Sequence, residues 1–252
     1  MTFIIAEASV NHDGKWERGL DLIDAAKEAG ANACKFQLFN SQKLWGDDRI
    51  EHLEFSHDAL LAMKAHCDEI EIEFMCTPFS VEAVEFLTPL VKRHKIASGC
   101  RRTEILEAVR DTDLPIIMSM GMAEREDFEA ALTWTGVATL LQCTSSYPCA
   151  LEDVNLSAMA AMGEYYDCPY GLSDHTQGII ASIVAVGLGA TVIEKHLTMD
   201  KTQDGPDHST SIEPLEFKAM VEGIREVEIM LGDGVKRVLE CEKELRGLWY
   251  DK

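Results

Sequence analysis

What most constrains the fold of this 252-residue chain is an eightfold alternation of short apolar runs with stretches of helical period. The runs at Phe3–Glu7, Ala33–Leu38, Ile72–Cys76, His94–Ala97, Pro115–Met120, Ala138–Cys143, Pro169–Ser173 and Thr191–His196 read as strands. Helical periodicity follows at 16–29, 56–70, 80–91, 102–110, 124–135, 152–166, 178–188 and 213–231, with Ser80, Thr103 and Asp153 as capping residues. Strand then helix, eight times over, predicts a parallel sheet, because a parallel neighbour is reached only through a long crossover. An open doubly wound sheet would carry a glycine-rich phosphate loop after its first strand, and Glu7-Ala-Ser-Val-Asn-His-Asp-Gly14 does not match one. The expected fold class is therefore α/β, a single (β/α)8 TIM barrel, for which about 250 residues is the usual size.

No Pro-, Gly- or Ser-rich linker divides the chain, so residues 1–231 are expected to form one barrel domain. The tail, 232–252, is too short for a domain and reads as a docking helix or a linker. With 23 Lys and Arg against 44 Asp and Glu, the net charge of −21 repels phosphate backbones and anionic headgroups. Small-molecule substrates are expected, with neither nucleic acid nor membrane as partner. The apolar stretch Ile179 to Ile193, interrupted by Ser182, Gly187, Gly189 and Thr191, falls short of the roughly 18 residues of a membrane span. The N-terminus lacks a basic leader, and the 8 cysteines contain no C-x-x-C pair, which together point to reduced thiols in a cytoplasmic protein.

In such a barrel the chemistry belongs at the carboxyl ends of the strands, where residues i and i+2 share a face. Strand two then turns Lys35 and Gln37 inward and Cys34, Phe36 and Leu38 outward. Strand eight turns Glu194 and His196 inward and Lys195 outward, and strand seven gives Ser173 and His175 a common side. Taken singly these residues have ordinary explanations: Ser173 and Thr176 as helix caps, Asp207 as a turn residue, Lys35 and Lys95 as lysines snorkelling at the rim. Taken together, His175 and His196 leave adjacent strands and can converge on one ion, an open two-imidazole site that suits a catalytic divalent metal. Lys35 and Lys95, with the hydroxyls of Thr77, Ser98 and Ser119, supply what a phosphate needs, although either lysine would equally serve an imine-forming aldolase.

Nine motifs, in order, resemble the sialic acid (N-acetylneuraminate) synthase family. They are Ile5-Ala-Glu-Ala-Ser-Val-Asn-His-Asp-Gly14, Lys35-Phe-Gln37, Cys76-Thr-Pro-Phe79, Lys95-Ile-Ala-Ser-Gly99, Met118-Ser-Met-Gly-Met122, Gln142-Cys-Thr-Ser-Ser-Tyr-Pro148, Gly171-Leu-Ser-Asp-His-Thr176, Ile193-Glu-Lys-His196 and Gly205-Pro-Asp207. The resemblance implies a TIM barrel that condenses phosphoenolpyruvate with an N-acylated amino sugar, N-acetylmannosamine or a related hexose, giving a nonulosonic acid and phosphate with C–O cleavage. It implies His175 and His196 as ligands of Mn2+, or of Mg2+ or Co2+, that activate the acceptor aldehyde. Lys35, Thr77, Lys95, Ser98, Ser119 and Ser145 would hold phosphoenolpyruvate, and Gln37, Tyr147, Ser173, Glu194 and Asp207 would face the acceptor. Glu7 and Asp207, with Lys35, would be the catalytic groups.

Two departures from the family pattern stand out: many members carry Asn where this chain has Ser145 or Ser146, and most continue into an antifreeze-like domain where this sequence stops at Lys252. That domain caps a partner's barrel in the family, so an acceptor pocket more open than usual is expected here, with oligomeric state open and a homodimer one option. A Schiff-base aldolase and a non-catalytic sugar-binding barrel are the alternatives.

Overall fold

The computed structural model describes residues 1–135 and 139–250; the predicted start of strand six, Ala138, and the last two residues of the predicted tail, 251 and 252, lie outside them. Eight strands are present: β1 (Phe3–Ser9), β2 (Ala33–Leu38), β3 (Glu73–Pro78), β4 (His94–Ile96), β5 (Ile116–Ser119), β6 (Thr139–Cys143), β7 (Tyr170–Asp174) and β8 (Val192–His196). They form one sheet in the order β3-β2-β1-β8-β7-β6-β5-β4. Every ladder in it is parallel. The end strands β3 and β4 lie side by side, so the sheet is a nearly closed (β/α)8 barrel, as expected from the alternation.

Helices α1 (Trp16–Glu28), α2 (Ser41–Trp45), α3 (His57–Glu69), α4 (Val81–Leu87), α5 (Thr103–Arg110), α6 (Arg125–Thr135), α7 (Leu156–Tyr166), α8 (Ile180–Gly187), α9 (Pro214–Leu231) and α10 (Lys243–Tyr250) connect and follow the strands. Side-chain caps start several of them: Ser80 Oγ accepts from the Ala83 amide at 3.2 Å and Asn155 Oδ1 from the Ala158 amide at 3.2 Å. The predicted caps Thr103 and Asp153 are displaced, because Arg102 precedes α5 and Asp153 ends a separate one-turn helix before Asn155. The short α2 was not foreseen; Asn40 caps it by accepting from the Lys43 amide at 3.0 Å.

Alternation along the strands divides the molecule into layers. Outward residues such as Ile4, Ala6, Cys34, Phe36 and Phe74 pack against the inner faces of the helices, among them Leu22, Met63 and Phe217. Each large side chain removed from water in this way contributes on the order of 2 kcal/mol. Inward residues Ile5, Ala33, Met75, Ile117, Leu141 and Val192 form a dry plug in the lower barrel. Two positions further along the same strands the inward residues become polar: Glu7, Lys35, Thr77, Ser119, Cys143 and Glu194. An apolar floor beneath a polar layer lowers the local dielectric and keeps water from the charges above it.

The tail forms a one-turn helix at Glu240–Glu242 and then α10, with Leu245, Leu248 and Trp249 exposed. Among the described residues no helix is long and apolar enough to cross a membrane.

Candidate active site

The carboxyl ends of the strands open into a cavity of about 290 Å³. On its floor Lys35 is buried between two carboxylates: Nζ lies 2.6 Å from Glu7 Oε2 and 3.5 Å from Glu194 Oε2, and donates to Thr77 Oγ1 at 3.0 Å. Lys95, also buried, donates to Ser119 Oγ at 2.7 Å and lies 3.5 Å from Glu194 Oε1. Neither lysine snorkels at the rim: both carry a full side chain into the barrel, where ion pairing and hydrogen bonds together offset the loss of hydration. Ser173 Oγ donates to Glu194 Oε1 at 2.9 Å.

These contacts decide the protonation states. Burial pushes both carboxyls up, but Glu194 faces Lys35, Lys95 and the Ser173 hydroxyl and is held down at about 2. Glu7 has one cation, Lys35, and the Gln37 amide to oppose its burial and feels the negative charge of Glu194 as well, so it is pushed up to about 7. Burial disfavours the charge on Lys35, yet the two carboxylates outweigh it and keep its pKa above the ordinary lysine value. At Lys95 burial prevails and the value falls. One shared ammonium thus leaves one carboxylate fully ionised and the other poised near neutrality.

Ser98 and Ser145 sit where β4 and β6 release the chain. The Gly121 amide donates to Ser98 Oγ at 2.9 Å, and a Cβ on Gly121 would stand 2.3 Å from Ser145 Oγ and 2.7 Å from Ser98 Oγ. Only glycine lets both hydroxyls approach that strand end. Ser98, Ser119 and both lysines border the cavity, whereas Thr77 stands behind Lys35 and Ser145 behind Gly121.

On the opposite side the rings of His175 and His196 lie 5.5 Å apart, centroid to centroid, and Tyr147 covers both at 4.1 and 5.8 Å. His175 Nδ1 faces the Thr144 carbonyl oxygen at 2.8 Å. That oxygen can only accept, so the neutral ring carries its hydrogen on Nδ1 and its lone pair on Nε2, the tautomer of a metal-binding imidazole. His196 Nδ1 is buried without a hydrogen-bond partner, 3.9 Å from Asp207 Oδ2, and burial pushes this histidine down to about 4, which keeps it neutral. Among the described residues no three His, Cys, Asp or Glu side chains converge as a complete metal cage. Two imidazole donors would leave the remaining positions of an ion held there to substrate or solvent.

Gln37 and Asp207 join the two halves. Gln37 Nε2 donates to Glu7 Oε1 at 3.1 Å and to Ser9 Oγ at 2.7 Å, and Ser9 Oγ donates to Asp207 Oδ2 at 2.5 Å. Ser9 was not anticipated. A bulge between Glu7 and Ser9 interrupts the two-residue alternation, and Ser9 has φ +47, a conformation that side-chain-bearing residues rarely adopt and that often marks a functional position. Cys143 was also missed: Ser98 Oγ donates to its sulfur at 3.4 Å, and its Sγ lies 3.8 Å from His175 Nδ1. Every other predicted catalytic, acceptor-facing or metal-binding residue, Glu7, Gln37, Tyr147, Ser173, Glu194 and Asp207 included, borders the one cavity.

Known proteins resemble the chain over nearly its whole length. The chain is 38% identical over 98% of its length to an N,N'-diacetyllegionaminic acid synthase of Legionella pneumophila, 78% of which is covered. It is 36% identical over 95% of its length to the N-acetylneuraminate-9-phosphate synthase of Homo sapiens, 74% of which is covered. Among solved structures, the N-acetylneuraminic acid (sialic acid) synthetase of Leptospira borgpetersenii, in complex with citrate, superposes with a TM-score of 0.92 at 36% identity, covering 100% of this chain and 93% of that one. The profile of the NeuB family matches residues 22–236, and the chain belongs to that family.

Proposed function

We propose that the protein is a sialic acid synthase-like enzyme that condenses phosphoenolpyruvate with an N-acylated amino sugar, N-acetylmannosamine or a related hexose, to give a nonulosonic acid and phosphate. The observation that carries this reading is the division of one cavity into two chemically distinct halves. Lys35 and Lys95, each with a hydroxyl partner, bring two ammonium groups to the floor beside Glu7 and Glu194 in a chain of net charge −21, and the two imidazoles of His175 and His196 face them. The floor suits the phosphate and carboxylate of phosphoenolpyruvate: Lys95 and Ser119 supply charge-assisted hydrogen bonds, and Ser98 lines the margin. His175 and His196 would hold a divalent ion, Mn2+ foremost, which polarises the acceptor aldehyde when bound.

The reaction joins C3 of phosphoenolpyruvate to the aldehyde carbon. The aldehyde oxygen takes up a proton, water adds at C2, and the tetrahedral centre expels phosphate by breaking its C–O bond. Glu7, poised near neutrality beside Lys35, takes a proton from the water that adds at C2. Asp207, on the histidine side and oriented by Ser9, serves the aldehyde oxygen, and Gln37, Tyr147, Ser173 and Glu194 shape the acceptor's position.

The test is phosphate release from phosphoenolpyruvate with Mn2+ and a panel of N-acyl amino sugars, using a heavy-oxygen label in the bridging position. The label is expected in phosphate, and a nonulosonic acid is expected by mass. Absence of phosphate release with every acceptor, or retention of the label in the organic product, overturns the reading. Burial does make Lys95 the more available amine for an imine. Borohydride trapping separates that chemistry, and no covalent adduct is expected.

A further inference from the structure

The residue before His175 and the residue before His196 form a buried ion pair that the chemistry above leaves unused. Asp174 and Lys195 are direct neighbours across the β7–β8 ladder, one register step beyond Ser173 and Glu194. Both side chains point out of the barrel, are completely enclosed, and meet at 3.1 Å between Nζ and Oδ2. Asp174 Oδ1 accepts from the Thr176 amide at 2.8 Å and from Thr176 Oγ1 at 2.7 Å, and Oδ2 accepts from Ser182 Oγ of α8 at 2.7 Å. Lys195 Nζ donates to the Thr176 carbonyl oxygen at 2.5 Å.

Stability is a poor explanation for this arrangement, since a buried ion pair often gives no more than well-packed apolar residues of the same volume. Geometry is a better one. The Asp174 carboxylate grips the amide and hydroxyl of Thr176, so the backbone of His175 is clasped on both sides. Lys195 grips the carbonyl of that same turn and anchors it to β8 one residue before His196. The Cys149 amide donates to the His175 carbonyl oxygen at 2.8 Å and completes the frame.

We infer that Asp174 and Lys195 are positioning residues that hold His175 and His196 at the spacing at which both rings can ligate one metal ion. The inference rests on the proposed metal role of the two histidines. The clasp lies behind the strands, out of reach of substrate, and acts through backbone placement.

The experiment is direct titration of the purified full chain with Mn2+, following free ion by electron paramagnetic resonance, alongside thermal melting. Wild type is expected to bind one ion. Removing both charges together, as Asp174→Asn with Lys195→Met, is expected to weaken Mn2+ binding by about 10-fold or more while the protein remains folded. The milder Ser182→Ala variant, which removes one donor from Asp174 and leaves the charges paired, is expected to weaken binding about threefold and keeps the test open should the double variant not fold. Wild-type affinity in these variants overturns the positioning role while the metal reading stands. A wild-type chain that binds no Mn2+ overturns both.

Discussion

The Lys35 ammonium lies 2.6 Å from Glu7, a carboxyl that is not its firmest ionic partner: Glu194, 3.5 Å away, keeps the negative charge because it also faces Lys95. Glu7 is left with a pKa of about 7. As a general base it must be deprotonated, so kcat/KM is expected to rise as pH climbs through about 7. Phosphoenolpyruvate brings further negative charge to the same floor, which disfavours the Glu7 carboxylate, so the limb in kcat lies at higher pH than the limb in kcat/KM. Glu7→Gln is expected to lower kcat by roughly 10²- to 10⁴-fold and to abolish the limb. A Glu7→Gln profile that retains the limb removes Glu7 from the proton-transfer role.

The two lysines predict opposite phenotypes. Lys35→Met strips Glu7 of its cation and leaves Glu194 with Lys95 alone, and removing one partner of a buried pair costs up to about 3–5 kcal/mol, so the larger fall in Tm is expected here. Lys95→Met leaves Glu194 still paired with Lys35 and chiefly removes a charge-assisted bond to substrate, so KM for phosphoenolpyruvate should rise roughly 10-fold or more with a smaller change in Tm. Melting curves and steady-state kinetics on both variants decide this, and it is wrong if Lys95→Met leaves KM unchanged.

The histidines also separate. His196 Nδ1 has no hydrogen-bond partner to lose, so His196→Ala is expected to remove Mn2+-dependent phosphate release with a smaller loss of stability than His175→Ala. His175→Ala removes one of the two donors to the Thr144 carbonyl, the other being the Ser146 amide, together with the contact with Tyr147, so it should lose both activity and Tm. In wild type, chelator should stop phosphate release and Mn2+ should restore it. Undiminished turnover in chelator would falsify the metal role.

Much of this was legible in the chain because its physical cause is local. Cys34 and Phe36 must face the helices, which obliges Lys35 to face the barrel, and the same alternation placed Glu194 and His196. Three features were not legible. The bulge at Ser9 depends on backbone geometry that no hydrophobic pattern encodes. The proton on Glu7 depends on distances among residues from β1, β2 and β8. Asp174 and Lys195 occupy outward positions, where charge ordinarily means solvent, and only the packing of α8 over them turns the pair into an enclosed clasp.

A last consequence concerns acid stability. His12 stacks on Phe55 at 3.7 Å between ring centroids, and its Nδ1 accepts a hydrogen bond from the Gly14 amide at 3.0 Å. Burial pushes its pKa down to about 4, and His94 is pushed down to about 4 for the same reason. The unfolded chain takes up these protons near pH 6.5, so each histidine contributes stability that is present above that pH and lost as the pH falls toward about 4. The slope for one such group approaches about 1.4 kcal/mol per pH unit inside that window. His12→Gln removes one of the buried histidines that titrate this way: at pH 7 it should be less stable than wild type because the ring stack is lost, and between pH 6.5 and 4 its stability should fall less steeply. Denaturant unfolding of both proteins at pH 7, 6 and 5 measures the difference, and parallel slopes would show that the buried ring is not the group that resists protonation.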